Sequence, residues 1–259
     1  FVFNLLEQFN NDPKADYQIV ALLEMLGVKY SGCNPKGLLL ARDKALSKKI
    51  LKYHKIPTPN FLTFPKKKRK KIPKSMRYPA IVKCLSEEAS LGIAQASIVH
   101  SKDKMQERIQ FIHESLDQDA IVEDFIPGQE IYVGITGEKN LSNLPLWELK
   151  FENAQDPSKE IYSRRAKWNE AYRERKGIDS GPATFTKALE ERIIKICKRT
   201  YHALNLNGYA RIDLRITEDE KIYVIEANPN PNIAWDDEFA KSAQAMGIEY
   251  IDLIKSLCP

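Results

Sequence analysis

The segment Arg211-Ile-Asp213-Leu-Arg215-Ile-Thr217, followed by Glu218-Asp-Glu-Lys221 and Ile222-Tyr-Val-Ile-Glu226-Ala-Asn228-Pro229, reads as two strands joined by a charged turn. Side chains alternate between the two faces of a strand. A turn of two or four residues sets Asp213 opposite Glu226 and Arg211 opposite Asn228. On the other face it sets Ile212 opposite Ala227, Leu214 opposite Ile225 and Ile216 opposite Tyr223. One face is then apolar, and the other carries two carboxylates, an amide and an arginine. A slip of one residue would turn the apolar set outward, so the register is well specified. Like charges directly opposite on a sheet repel, so a cation is expected between Asp213 and Glu226. Hard oxygen ligands of this kind suit Mg²⁺, which usually takes one or two carboxylates together with substrate phosphates. The competing reading is a solvated hairpin face with incidental charge. Asn228-Pro-Asn230-Pro-Asn232 ends the second strand, since proline cannot continue a ladder, and delivers a polar loop beside the two acids.

A chain of 259 residues can bury a sizeable core. Its hydrophobic fraction of 43% and charged fraction of 29% are those of a soluble globular protein. No apolar run approaches the length of a membrane span, and no signal-peptide pattern opens the chain. Cys33, Cys84, Cys197 and Cys258 lack pairing or metal-ligand spacing, which fits a reduced, cytoplasmic setting better than a disulfide framework. Cys197 falls on an apolar helix face and reads as a core thiol. The opening Phe1-Val-Phe-Asn4 reads as the tail of a strand in an α/β unit, so a preceding segment is expected. The net charge of +5 is mild, and much of it sits in Lys66-Lys-Lys-Arg69-Lys-Lys71. That run has no interleaved aromatics and no surrounding nucleic-acid motif, which argues for a solvated loop and against a nucleic-acid partner.

Periodicity and breakers predict helices over residues 15–26, 37–53, 101–115, 186–204 and 236–257. Strands are expected over 61–64, 78–83, 94–99, 120–125, 129–136 and 143–151, with Pro127-Gly128 as a turn. On the helix over 186–204, Leu189, Ile193, Cys197, Tyr201 and Leu204 face inward. Residues 153–181 are polar and low in apolar periodicity, so they are expected to form a mobile loop or lid. Strands mixed with helices in this non-alternating order indicate an α+β, or mixed α/β, fold built from small packed subdomains.

Three further features suit a nucleotide. Lys83 ends a buried strand and precedes the loop Leu85-Ser-Glu-Glu-Ala-Ser90-Leu-Gly92, where charge and backbone N–H groups can grip phosphate. Glu123-Asp-Phe-Ile126-Pro-Gly128-Gln-Glu130 offers backbone groups at a turn for the edge of a base and a carboxylate for ribose. Lys167 lies in Tyr162-Ser-Arg164-Arg165-Ala-Lys167, inside the lid segment. Taken singly, each also reads as ordinary solvent-facing loop or hairpin.

Taken in order, these motifs resemble the ATP-grasp ligases and, within them, the D-alanine–D-alanine ligase-like branch. The resemblance runs through Leu26-Gly27, Ala41-Arg-Asp43-Lys44, Ile56-Pro57-Thr-Pro59 and Tyr78-Pro-Ala-Ile-Val-Lys83. It continues through Glu123 to Glu130, Gly208-Tyr-Ala-Arg211-Ile-Asp213 and Ile225-Glu226-Ala-Asn228-Pro229. It implies an ATP-grasp fold in which two α+β subdomains sandwich ATP. The expected division is residues 1–40 as the remnant of an N-terminal α/β domain, 41–124 as the first subdomain and 125–259 as the second, with the metal site.

The resemblance also implies roles. Lys44 and Lys83 would contact phosphates, Glu123 and the Ile126 backbone would read adenine, and Glu130 would hold ribose. Lys167 would reach the γ-phosphate, and Asp213, Glu226 and Asn228 would hold two Mg²⁺, with Mn²⁺ as an alternative. Arg211 would stabilise the acyl-phosphate and the tetrahedral intermediate, and Ser90 would sit over the substrate. The implied partners are a small carboxylate and an amine, with a homodimer left open. The competing reading is an ATP-binding regulatory module without turnover. The chain departs from the dipeptide-forming pattern at Trp168 after the lid lysine, at Ser86-Glu-Glu-Ala-Ser90, and at Asp237 near the position of a serine that holds the second substrate's carboxylate. An acid at 237 would repel a carboxylate and attract an amine, which points away from D-alanine.

Overall fold

The computed structural model describes residues 1–9, 12, 15–68, 70–86 and 93–258. Three helices open the chain, α1 (Asp16–Met25), α2 (Pro35–Arg42) and α3 (Lys44–Tyr53). Then follow β1 (Phe61–Phe64), β2 (Ala80–Cys84), β3 (Ile98–Val99), α4 (Lys102–Ser115) and β4 (Ala120–Asp124). The second half holds β5 (Gln129–Thr136), β6 (Ser142–Asn143), β7 (Trp147–Phe151), α5 (Arg164–Trp168), α6 (Glu170–Lys176) and β8 (Ile178–Pro182). It closes with α7 (Lys187–Ala203), β9 (Tyr209–Ile216), β10 (Ile222–Pro229), α8 (Glu238–Ala245) and α9 (Tyr250–Ser256).

Among the described residues the strands form two antiparallel sheets, as expected of an α+β fold. A four-stranded sheet runs β1-β4-β2-β3, and a six-stranded sheet runs β10-β9-β5-β7-β8 with β6 on β5. Helix α4 covers the small sheet through Met105, Ile109 and Ile112, which pack on Val82, Ala120 and Val122. Helix α7 covers the large sheet. Its predicted inward residues Leu189, Ile193, Cys197 and Tyr201, and Leu204 just beyond its end, are all buried against Ile131, Val133, Ile212 and Leu214. Full burial of one such side chain stabilises by roughly 1.5–3 kcal/mol. Leu38 of α2 and Leu51 of α3 enter the same core, so the first helices brace the large sheet. No helix among the described residues is long and apolar enough to cross a membrane.

The β9–β10 hairpin departs from the expected register at one end. Asp213 faces Glu226, Ile212 faces Ala227 and Arg211 faces Asn228, as alternation predicts. Leu214, however, pairs with Val224 and Ile216 with Ile222, because a bulge lies between Val224 and Glu226. The strands close over residues 217–221, where the Thr217 N–H donates to the Lys221 carbonyl at 3.0 Å. An odd-numbered turn needs one extra residue on one strand to keep both apolar sets inward, and the bulge at Ile225 supplies it. Ile225 consequently lines the cleft and Val224 takes its place in the core.

Several predicted elements are broken in the structure. The helix expected over 37–53 is two helices, because Asp43 caps the second by accepting from the Ala45 and Leu46 N–H groups. The strand over 94–99 is a short 3₁₀ turn plus β3, and the one over 143–151 is interrupted before β7. The helix over 236–257 is split by Gly247, whose φ of +84° suits a residue just past a helix end. Residues 153–181 are not a bare loop. They hold α5, α6 and β8, which pairs with β7 from Trp147–Pro182 to Phe151–Ile178. Asp, Ser, Gly and Pro in β8 are poor strand formers, and the neighbouring strand decides their conformation.

Candidate functional site

Between the two sheets lies a cleft with a cavity of about 220 Å³. Lys44, Lys83, Glu123, Ile126, Glu130 and Lys167 line it, as do Arg211, Asp213, Glu226 and Asn228. These are all the site residues named from the sequence except Ser90, which lies outside the described residues. Trp168 follows Lys167 at the end of α5, and its side chain is likewise not described.

The floor is the cleft face of the large sheet. Period-two alternation aligns Arg211, Asp213 and Arg215 on β9 with Glu226 and Asn228 on β10 and with Glu130 and Tyr132 on β5. Arg211 donates from Nε and Nη2 to the two oxygens of Asp213 at 2.8 and 3.0 Å, and its guanidinium lies 4.5 Å from the Tyr132 ring centroid. The Asn228 amide donates to Asp213 Oδ2 at 2.9 Å. Glu226 Oε2 lies 3.4 Å from Lys44 Nζ. The cation expected between the facing acids is thus met in this structure by Arg211 on one side and Lys44 on the other.

Burial pushes the Asp213 carboxyl up to about 6 against the pull of Arg211, with Glu226 and Glu130 adding to the rise. Burial also opposes charge on Glu226, yet Lys44, Lys83 and Lys48 hold it below its ordinary value. Burial likewise opposes charge on Arg211, but Asp213 keeps it ionised, well above its ordinary value.

The opposite wall comes from β2, β4 and α3. Ile121 faces Lys83 and Ile81 faces Glu123 across the β2–β4 pair, so Lys83 and Glu123 are diagonal neighbours on one face. The Glu123 carboxylate lies 3.2 Å from Lys83 Nζ and 3.3 Å from Lys48 Nζ, and its side chain is 1% exposed. Glu123 thus lines the cleft while two buried lysines engage its carboxylate. Burial opposes the charge of Glu123, but Lys48 and Lys83 hold the carboxyl below its usual range. Burial lowers Lys48 despite Glu123. Lys48 also donates to the Ile225 carbonyl at 2.6 Å, the group that the bulge in β10 exposes.

The turn between β4 and β5 packs directly on β9. Gly128 has φ of +142°, and a Cβ there would lie 2.1 Å from the Ile216 carbonyl oxygen, so no other residue fits. This contact seats Ile126 at one end of the cleft, near Phe125, Ile81 and Ile161. Glu130 accepts from Tyr132 Oη at 2.8 Å and from Arg215 Nη2 at 2.7 Å. Lys167 rides on α5, which Ser163 caps by accepting from the Ala166 N–H at 3.2 Å. At the far end Asp237 caps α8, accepting from the Glu238 N–H at 2.9 Å and from the Asn232 amide at 2.6 Å. Burial and the neighbouring Glu238 push Asp237 up to about 7, against Arg211 and Lys167.

Lys48, Tyr132, Arg215 and Glu238 were not singled out from the sequence. Lys48 follows Lys44 by one helical turn, and Arg215 follows Asp213 by one strand period, so both were within reach of the same periodicities. Of the remaining basic run, Lys66 pairs with Asp117, and Lys70 donates to the Thr63 carbonyl at 2.9 Å.

The donor set fits a small hard cation. Asp213, Glu226 and the Asn228 carbonyl offer oxygen from neighbouring strands. Among the described residues no three His, Cys, Asp or Glu side chains converge on one point, and Mg²⁺ needs no such protein cage when phosphates supply further ligands.

The family described as D-ala D-ala ligase C-terminus matches residues 49–259. The chain is 30% identical over 250 residues to the D-alanine–D-alanine ligase of Carboxydothermus hydrogenoformans, covering 93% of this chain and 76% of that one. It is 30% identical over 256 residues to an uncharacterized protein of Sinorhizobium fredii, covering 99% of this chain and 73% of that one. Among solved structures, the Bacillus anthracis D-alanine–D-alanine ligase complexed with ATP superposes with a TM-score of 0.75 at 28% identity, over 92% of this chain and 72% of that one. With the facing acids of β9 and β10 and the lysines opposite them, these likenesses place the chain in the ATP-grasp family of D-alanine–D-alanine ligase-like proteins.

Proposed function

We propose that the protein joins a small carboxylate to an amine at the expense of ATP, through an acyl phosphate. The observation that carries this reading is the meeting of Lys44, Lys83 and Lys167 with Arg211, Asp213, Glu226 and Asn228 in one cleft. The subdomain division at residue 124 accompanies it, as β4 and β5 belong to different sheets.

In this reading the base lies between Ile81, Ile161 and Phe125, with its polar edge on the Ile126 backbone. Glu130 receives ribose, and Lys44, Lys83 and Lys167 receive phosphates. Glu123 holds Lys83 and Lys48 in place. Asp213, Glu226 and Asn228 hold Mg²⁺, which neutralises phosphate charge. A substrate carboxylate oxygen attacks the γ-phosphorus, and ADP leaves. The amine then attacks the acyl carbon, and phosphate leaves as the C–N bond forms. Such phosphoryl transfer depends on position and charge neutralisation, with no protein nucleophile required. Arg211 faces the developing negative charge on the acyl oxygen. Asp237 stands at the acceptor end and disfavours a second carboxylate there, which leaves D-alanine as one acceptor among others to be compared. An ATP-using ligase of this kind operates in the cytoplasm.

The test is ADP release by the full-length protein with ATP, Mg²⁺ and pairs of small acids and amino acids. Asp213→Ala or Glu226→Ala is expected to lower turnover by roughly 10³-fold. Unchanged turnover in both variants would remove the metal reading. Tight ATP binding without turnover on any pair would leave a regulatory module instead.

A further inference from the structure

Arg215 shares the cleft face of β9 with Asp213, and its side chain is 7% exposed. Nη1 donates to the Gly128 carbonyl at 2.9 Å, and Nη2 donates to Glu130 Oε2 at 2.7 Å and to the Glu160 carbonyl at 2.5 Å. The guanidinium carbon also lies 5.8 Å from the Phe125 ring centroid. One planar fork therefore joins the turn after β4, strand β5 and the segment that leads into α5. Glu160 extends the connection. Its carboxylate accepts from Lys176 on α6 at 2.9 Å and from the Gln95 amide beside the small sheet at 2.5 Å. The floor of the cleft, the lid and the opposite lobe thus meet at Arg215 and Glu160.

The cavity beneath this meeting point measures about 220 Å³. Pockets for ligands of nucleotide size run to roughly 300–1,000 Å³, so something over the cleft must shift to admit one. The lid segment is seated on the large sheet by Ala166, Tyr172 and Ile178. At this corner it is held by the Glu160 carbonyl on Arg215 and by Ile161 against Ile81 and Phe125, contacts that can break and reform without unfolding either sheet. A guanidinium presents five donors in a fixed plane and can hold a carboxylate and two carbonyls together, which a lysine cannot.

We propose that Arg215 is a positioning residue that couples nucleotide binding to lid closure, by aiming the Glu130 carboxylate at the ribose hydroxyls while seating the Glu160 carbonyl of the lid. The coupling rests on the reading of this cleft as the ATP site. Closure and nucleotide binding then strengthen each other reciprocally. Loss of the fork weakens both, although Arg215 touches neither the transferred phosphoryl group nor the acyl carbon.

The experiment uses the full-length protein with Mg²⁺ and a non-hydrolysable ATP analogue. It measures analogue affinity together with the rate of tryptic cleavage at the Lys and Arg residues of 159–176. Without nucleotide, Arg215→Met is expected to speed lid cleavage roughly tenfold and leave cleavage elsewhere unchanged. Analogue affinity falls roughly tenfold, and saturating analogue no longer restores wild-type protection. Arg215→Lys regains affinity through Glu130 but not protection, a separation that a merely structural role would not produce. It also carries the test if the methionine variant does not fold. In turnover, KM for ATP rises more than kcat falls. Wild-type lid protection and affinity in both variants would overturn the proposal, as would faster cleavage spread evenly along the chain. If the wild-type protein fails to bind the analogue, the ATP reading falls and the coupling with it. Faster lid cleavage in the nucleotide-free variant would then show the clamp alone.

Discussion

The two walls of the cleft carry similar charges but assemble them differently. On the β9–β10 floor, Arg211 and Asp213 are two residues apart, and Asn228 and Glu226 face them across one strand pair. Backbone pairing alone brings these groups together. On the opposite wall, the β2–β4 pairing brings Lys83 and Glu123 together from distant parts of the chain, and Lys48 comes from α3. The floor is therefore a local construction that a metal or substrate can enter by displacing one side-chain partner for another. The wall is a buried ion cluster in which Glu123 is the carboxylate shared by Lys48 and Lys83, and Lys48 also holds the Ile225 carbonyl.

The sharpest test of that difference is stability. Glu123→Ala leaves Lys48 and Lys83 buried without their carboxylate, and a loss of roughly 3–5 kcal/mol is expected by urea denaturation. Asp213→Ala should cost clearly less, because Arg211 retains Glu238, whose Oε2 accepts from its Nη1 at 3.4 Å. Equal losses would erase the distinction between the walls.

Next in size is the lid. Lys167→Met is expected to lower kcat by roughly 100-fold with little change in the unfolding midpoint, since the buried Ala166 anchors α5 on the large sheet and Lys167 lines the cleft. A loss of stability with unchanged kcat would instead make Lys167 part of the scaffold.

The smallest effect concerns the acceptor end. The Asp237 carboxyl is raised from 3.8 to about 7 in the folded chain, so the folded state binds a proton that the unfolded state has released. The stability this group contributes is fully present below about pH 4 and is lost as pH rises through about 7. Asp237→Asn keeps a good helix cap and is uncharged. Its melting temperature relative to the parent should therefore climb between about pH 4 and about pH 8. A difference independent of pH would show that the acid is not strained where it sits. The same position can be changed to serine while acceptor preference is measured. An unaltered preference would separate Asp237 from amine selection.

Much of the site was legible because the sheets obey a simple rule. The alternation of Arg211, Asp213, Glu226 and Asn228 placed them on one face before any coordinates, and the inward row of α7 from Leu189 to Leu204 followed from helical spacing. Resemblance to the ATP-grasp ligases then drew attention to Lys44, Lys83, Glu130 and Lys167, which line the same cleft. The hairpin misreading began at residues 217–221. A turn one residue longer than expected required the bulge at Ile225, and sequence has no strong signal for a bulge without glycine. The helix breaks at Asp43 and Gly247 did have signals, a cap residue and a glycine, which continuous apolar spacing outweighed.

The chain's own order of residues determined which side chains share a strand face or a helix stripe, because backbone geometry repeats every two or every 3.6 residues and needs no distant partner. Only the tertiary structure decided that Glu123 would meet Lys48 as well as Lys83, that β8 would be a strand, and that Arg215 would reach the Glu160 carbonyl. Each of those outcomes depends on a partner far along the chain, and the burial and charge that such a partner brings outweigh local preference.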